Sequence, residues 1–151
     1  MPRGLRPIAA LALVAVTAAM AAAEWPCFRG PDARGVAADD PRLPSRWTAT
    51  KNVRWSATLE GRGWSSPIVS GDRVIVTSAI PPAPPEDAKK GLYFGGERPD
   101  VADGEVRWVV TCLDAATGMT RWETVIARGP PPGPVHVKNS YASETPVTDG
   151  E

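Results

Sequence analysis

Few side chains in this 151-residue sequence are suited to chemistry, and most of those gather near residue 140. His136 is the sole histidine, and Lys138, Asn139 and Tyr141 follow it in the densest polar cluster of the chain. An imidazole beside an amine, an amide and a phenol can serve as a general base or as a ligand contact on a loop face. A base needs an orienting partner, and none is identifiable in the cluster. The competing expectation is a loop that satisfies its own backbone and packs Tyr141 on a sheet. No catalytic residue is assigned. His136, Lys138, Asn139 and Tyr141 are retained as a possible ligand-face loop.

The other candidates are sparser. Arg29 and Asp32 lie in a proline-interrupted arm, where they either touch a ligand or simply solvate a loop; solvation is the expected role. Cys27 and Cys112 have no metal-ligand spacing. They can pair in an oxidising compartment. Cys112 also stands in an apolar run, where a cysteine behaves as a small hydrophobe, so pairing is left open. No G-x-G-x-x-G and no phosphate loop ending in Lys-Ser/Thr occurs. No metal site is expected, and cofactor-binding residues are not assigned.

Lysine plus arginine and aspartate plus glutamate both number 17. Arg3 and Arg6 belong to the first 23 residues, so the remainder is slightly acidic. That balance gives no electrostatic case for nucleic acid or an anionic membrane. Residues 1–23 have the form of a secretory signal peptide. Arg3 and Arg6 form the charged start, Ile8 to Met20 the uncharged apolar run, and Ala21-Ala22-Ala23 the small-residue cleavage site. The run is shorter than the roughly 20 residues needed to span a bilayer. The mature chain is expected to be exported, periplasmic or secreted, and not membrane-spanning.

The elements that must position these residues read as β structure. With 17 prolines, 14 glycines and six tryptophans, the composition favours an all-β repeat over a helical domain. Residues 24–50 have no sustained period and are expected to form an irregular arm. Lys51 to Trp55 is a short strand candidate. Trp64 to Val69 is another, with Pro67 inside it, which makes it an edge strand because proline cannot donate to a ladder. Gly71-Asp72 is a hairpin turn, and Val74 to Thr77 is a β-branched strand suited to burial on both faces. Residues 79–104, opening on a proline-rich run, form an expected insertion. Glu105 to Leu113 and Met119 to Thr124 are strands joined by the turn Asp114-Ala115-Ala116-Thr117-Gly118. In that turn Asp114 caps the backbone and Gly118 takes positive φ. Ile126 to Val137 is expected to be irregular. Glu144-Thr145-Pro146-Val147 then repeats the earlier Ser-Pro stretch.

Three segments in order, SSPIVSGDRVIVTS, CLDAATGMTRWE and SYASETPVTDGE, resemble the repeats of pyrroloquinoline-quinone-like (quinoprotein-type) β-propellers. The opening WPCFRGPDARGV and the block VHVKNSYASETPVTDGE are similar to secreted propeller proteins of planctomycete-type bacteria. The resemblance covers nearly all of residues 25–151. It implies a β-propeller of four-stranded blades, eight in the full-length protein. This chain would be an N-terminal fragment with about one and a quarter of them, from residue 51 to 151. Trp55, Trp64, Pro67, Asp114, Gly118, Trp122 and Pro146 would be structural blade residues. Each blade's tryptophan would dock on a neighbouring blade, and Trp55 would dock on one outside this chain. Missing blades of the same protein are then its first partners, with an envelope protein or a glycan as further ones.

Two functions follow from that resemblance. One is an exported, non-catalytic scaffold or binding module holding no cofactor. The other is a quinoprotein dehydrogenase that oxidises alcohols or sugars with pyrroloquinoline quinone and calcium. The dehydrogenases use an aspartate base, glutamate and asparagine calcium ligands and, in many members, a disulfide between adjacent cysteines. Those constellations are not visible here. Asp114 belongs to a hairpin turn and inherits no catalytic role. The scaffold is the expected function, and a polysaccharide-binding propeller is a third, weaker possibility.

Overall fold

β-Branched residues and two strong turns produce one antiparallel meander. The computed structural model describes residues 23–83, 103–136 and 139–150. The apolar leader, most of the 79–104 insertion and Lys138 lie outside these residues. Five strands are present: β1 (Ala23–Trp25), β2 (Ile68–Gly71), β3 (Arg73–Ile80), β4 (Val106–Asp114) and β5 (Thr120–Gly129). They form one antiparallel sheet in the order β1-β2-β3-β4-β5. A single 3-10 turn at Pro31–Ala33 is the sole helical element among the described residues. The fold class is all-β.

Local chemistry sets the two central turns. Ser70 pairs with Arg73, so Gly71-Asp72 is a two-residue loop. Gly71 has φ 59°, a value that favours glycine at the first position of such a loop. At the other turn, Asp114 Oδ1 accepts from the amides of Ala116 (3.0 Å) and Thr117 (2.9 Å). Gly118, at φ 75°, donates its amide to the Asp114 carbonyl at 2.8 Å.

The core follows from the β3–β4 register. Ile68, Ile75 and Cys112 stand opposite one another across three strands and share a face. Val109, Thr111 and Leu113 occupy the other face of β4; these three, Ile68 and Cys112 are buried, and Ile75 is half-buried. Burial of a Val or Ile side chain of this kind stabilises by about 1.5–3 kcal/mol. The buried Thr111 hydroxyl donates to Glu123 on β5, which avoids the cost of an unpaired polar group. A second cluster of Ala79, Val106 and Ala142 is flanked by Trp108 and Tyr141. It fixes the 141–142 segment to the sheet.

Several expected boundaries are corrected. Residues 24–50 are not wholly irregular: Glu24 and Trp25 belong to β1 and pair with Ser70 and Val69. That pairing covers the edge of β2 expected to be open. Lys51 to Trp55 is not a strand. Asn52 takes φ 61°, its side-chain amide donates to the Arg46 carbonyl, and Thr48 donates its amide to Lys51, so the chain turns there. Trp64 to Pro67 is not part of a strand either; β2 begins immediately after the proline, which cannot donate to a ladder.

The insertion begins later than expected, because Ala79 and Ile80 pair with Trp108 and Arg107. Likewise β5 continues through Gly129, in register with Val106 to Val109, before Pro130 stops it. Residues 142–148 contain no strand. They bond to the 64–66 segment, to Thr77, to Pro26 and to Asn139 and Ser140 of their own loop instead.

Candidate functional site

Two places gather polar side chains: the tips of the two hairpins and the 133–145 loop. At the hairpin tips, Arg121 Nη2 donates to Asp72 Oδ2 and Asp114 Oδ2, each at 2.6 Å. The β4–β5 register explains its reach. Cys112 pairs with Trp122 and Leu113 with Thr120, which leaves Arg121 as the extra residue of a β-bulge. A bulge re-aims the side chain it carries. The Arg121 guanidinium, with help from Thr117, holds the Asp114 carboxyl down at about 2. The same guanidinium lowers Asp72. The Ala115 amide also donates to the Asp72 carbonyl at 2.9 Å, so backbone and side chains join the two turns.

Trp55 lies against this junction. Its Nε1–H donates to the Ala115 carbonyl at 3.0 Å. A Cβ built on Gly118 would lie 2.5 Å from Trp55 Cε3, so the ring rests directly on the glycine. The expectation that Trp55 would dock outside this chain is therefore corrected: its turn partner lies within it. Trp122, the tryptophan that follows the same turn, is 45% exposed.

The loop cluster is occupied with its own structure. Tyr141 donates its hydroxyl to the Gly133 carbonyl at 2.6 Å, and its own carbonyl accepts from Trp108 Nε1 at 2.8 Å. Asn139 Oδ1 accepts from the Ser140 amide (2.9 Å) and the Ser143 hydroxyl (2.6 Å), while the Asn139 amide donates to the His136 carbonyl. His136 is exposed. Asn139 and Tyr141 thus share one loop with His136 but spend these polar groups holding it. Lys138 lies outside the described residues.

Arg29 and Asp32 both adopt positive φ, 64° and 55°, in the tight arm turn. The Arg29 carbonyl accepts from the Gly35 amide at 2.7 Å. An open groove of about 840 Å³ runs between this arm and β2, lined by Trp25, Val36 and Val69. Of its carboxylates, Asp40 is bound by Arg42, which lowers it to about 2. Glu24 accepts the Gly71 amide.

Cys27 and Cys112 are free thiols. Cys27 donates to the Gly30 carbonyl, while Cys112 is buried in the sheet and burial pushes its thiol up. Among the described residues no group of three or more His, Cys, Asp or Glu could hold a metal ion, and no helix is long and apolar enough to cross a membrane. Arg121 carried no sequence signal beyond its position after the LDAATG turn. Its partner Asp72 is 49 residues away, and only the folded register joins them.

No protein family, curated protein or solved structure matches this chain. The site rests on its own geometry. The polar groups described above brace turns and loops. They do not form a nucleophile–base pair or a closed cavity with convergent polar atoms.

Proposed function

We propose that this chain is part of an exported β-propeller that acts as a non-catalytic scaffold or binding module. The observation that carries this reading is Trp55 seated on Gly118 and hydrogen-bonded to Ala115, with Trp122 exposed after the same turn. Trp55 covers the β4–β5 turn of the sheet described, and the exposed Trp122 leaves an aromatic face of the kind a repeat array buries between its units. In this reading β2 to β5 form the first blade, and residues 142–148 begin the second. Further blades of the same protein complete the ring. Its loop faces meet an envelope protein or a glycan, and it carries no resident quinone or calcium.

Two measurements test the reading. Expression with the leader intact is expected to deliver the protein outside the cytoplasm with Glu24 as its first residue; retention with the leader uncut rejects export. Incubation of the full-length protein with pyrroloquinoline quinone and calcium is expected to give no dye-linked oxidation of alcohols or sugars. Turnover above the quinone-only control would replace the scaffold with a dehydrogenase.

A further inference from the structure

The bond that export would cut lies inside the sheet. Cleavage after Ala21-Ala22-Ala23 falls between Ala23 and Glu24. In the fold Ala23–Trp25 is β1, and its register on β2 sets Ala23 against Gly71, Glu24 against Ser70 and Trp25 against Val69. The residues on both sides of the bond are therefore paired.

Further contacts fasten the downstream side. Glu24 Oε1 accepts the Gly71 amide at 3.0 Å. Trp25 is half-buried, and its ring rests on Gly30, where an added Cβ would collide with it. The Gly30 amide closes that turn by donating to the Cys27 carbonyl at 2.9 Å. The Pro26 carbonyl accepts from the Thr148 amide at 3.1 Å. The arm, β2 and the 148 segment thus all hold residues 24–26.

A peptidase takes its substrate as an extended segment, through main-chain hydrogen bonds and side-chain pockets. In β1 that main chain is already paired with β2. Cutting then requires β1 to open, and its rate follows the open fraction. We infer that leader removal and β1 pairing exclude each other, so that cleavage comes first and the processed end docks on β2 afterwards. Water splits the Ala23–Glu24 amide; Ala23 leaves with the carboxylate and Glu24 gains the α-ammonium. The new end keeps the residues that pair with Ser70 and Val69, and it keeps the ring that seats on Gly30. Folding ahead of cleavage would lock the leader onto the chain. The inference rests on the export reading above and adds its order of events.

The test is the rate of cutting between Ala23 and Glu24 by a purified leader peptidase in detergent, read by mass and N-terminal sequence. The substrates are a synthetic peptide of residues 1–30, the full chain diluted from urea directly into the enzyme, and the full chain refolded beforehand. The peptide and the urea-diluted chain should be cut, and the refolded chain should be cut at least about tenfold more slowly. Trp25→Ser should restore fast cutting of the refolded chain, relative to the same substitution in the peptide. The Trp64 and Ser66 amides should stay protected from exchange in that variant, because only β1 has opened. Should that protection be lost as well, Gly30→Ala decides, since it displaces the same ring from outside the sheet. Equal rates for the peptide and the refolded chain overturn the ordering and leave export standing. Slow cutting that persists when the Trp25 ring is removed or displaced also overturns it, because the block then lies outside β1. An uncut peptide rejects the export reading and the ordering with it.

Discussion

Trp55 rests on Gly118 so closely that a methyl group cannot be inserted between them. The built Cβ lies 2.5 Å from Cε3 and 3.0 Å from Cγ of the indole, and the glycine sits at φ 75°. Gly118→Ala therefore combines an unfavourable left-handed backbone with a collision against a ring that is also hydrogen-bonded. The expected loss is about 1–3 kcal/mol by thermal or urea unfolding. Displacement of the indole toward water should also move tryptophan emission to the red. Trp55→Phe keeps much of the apolar contact and removes the bond to Ala115, so its expected loss is nearer 1 kcal/mol. Equal stability of both variants with the wild type would show that this contact does not hold the junction.

Arg121 makes the same junction sensitive to acid. Asp114 is lowered from its ordinary value of 3.8 to about 2, and Asp72 is lowered as well. A carboxylate lowered in the folded state contributes stability above its ordinary value, and that contribution is lost as pH falls toward the lowered one. Between pH 5 and 2 the junction should loosen, followed by the near-ultraviolet signal of Trp55. Arg121→Gln removes the cation that lowers both carboxyls, so its acid dependence should flatten across this window. An unchanged acid profile in Arg121→Gln would assign the acid response to other groups. The pairs are substantially exposed, so added salt should weaken the effect.

The parts of the fold legible in the sequence were local. Gly71-Asp72 and Asp114 to Gly118 are turns by the chemistry of adjacent residues, and the β-branched run of β3 can be read without knowing its partner. The misread parts depended on distant partners. β1 exists because Trp25 meets Val69, and Pro67 falls outside a strand because the 64–66 segment bonds to residues 142 and 145. Lys51 to Trp55 has strand-like residues, but the left-handed Asn52 and its bond to Arg46 override them. The polar composition of the His136 loop was visible. Its internal use of Asn139 and Tyr141 was not, because those bonds depend on how the loop folds back on itself.

Thiol chemistry separates the two cysteines. Cys27 is half-buried at the foot of the arm, whereas Cys112 is wholly buried between strands with its thiol raised by desolvation. Under native conditions a thiol reagent such as Ellman's is expected to label Cys27 and to leave Cys112 untouched until denaturant is added. Mass analysis of the purified chain should find no Cys27–Cys112 bridge. A loss of two hydrogens mapped to these residues would contradict the free-thiol arrangement.

The pairing of the two Ser/Thr-Pro stretches can be tested one hydroxyl at a time. The Ser66 amide has Thr145 Oγ1 as its acceptor, 2.9 Å away, in a half-buried seam. Thr145→Val preserves the side-chain shape and removes that acceptor, leaving a partly desolvated N–H. The expected cost is about 1–3 kcal/mol, with faster exchange at the Ser66 amide. Thr145→Ser retains the oxygen and should hold most of the stability and protection. Thr77→Val attacks the neighbouring link, where one hydroxyl touches Ser65 and Glu144. Its effect should be non-additive with Thr145→Val, because both residues serve the same seam. Strict additivity in the double variant would mean that the two bonds act independently, and that the two stretches are not held as one unit.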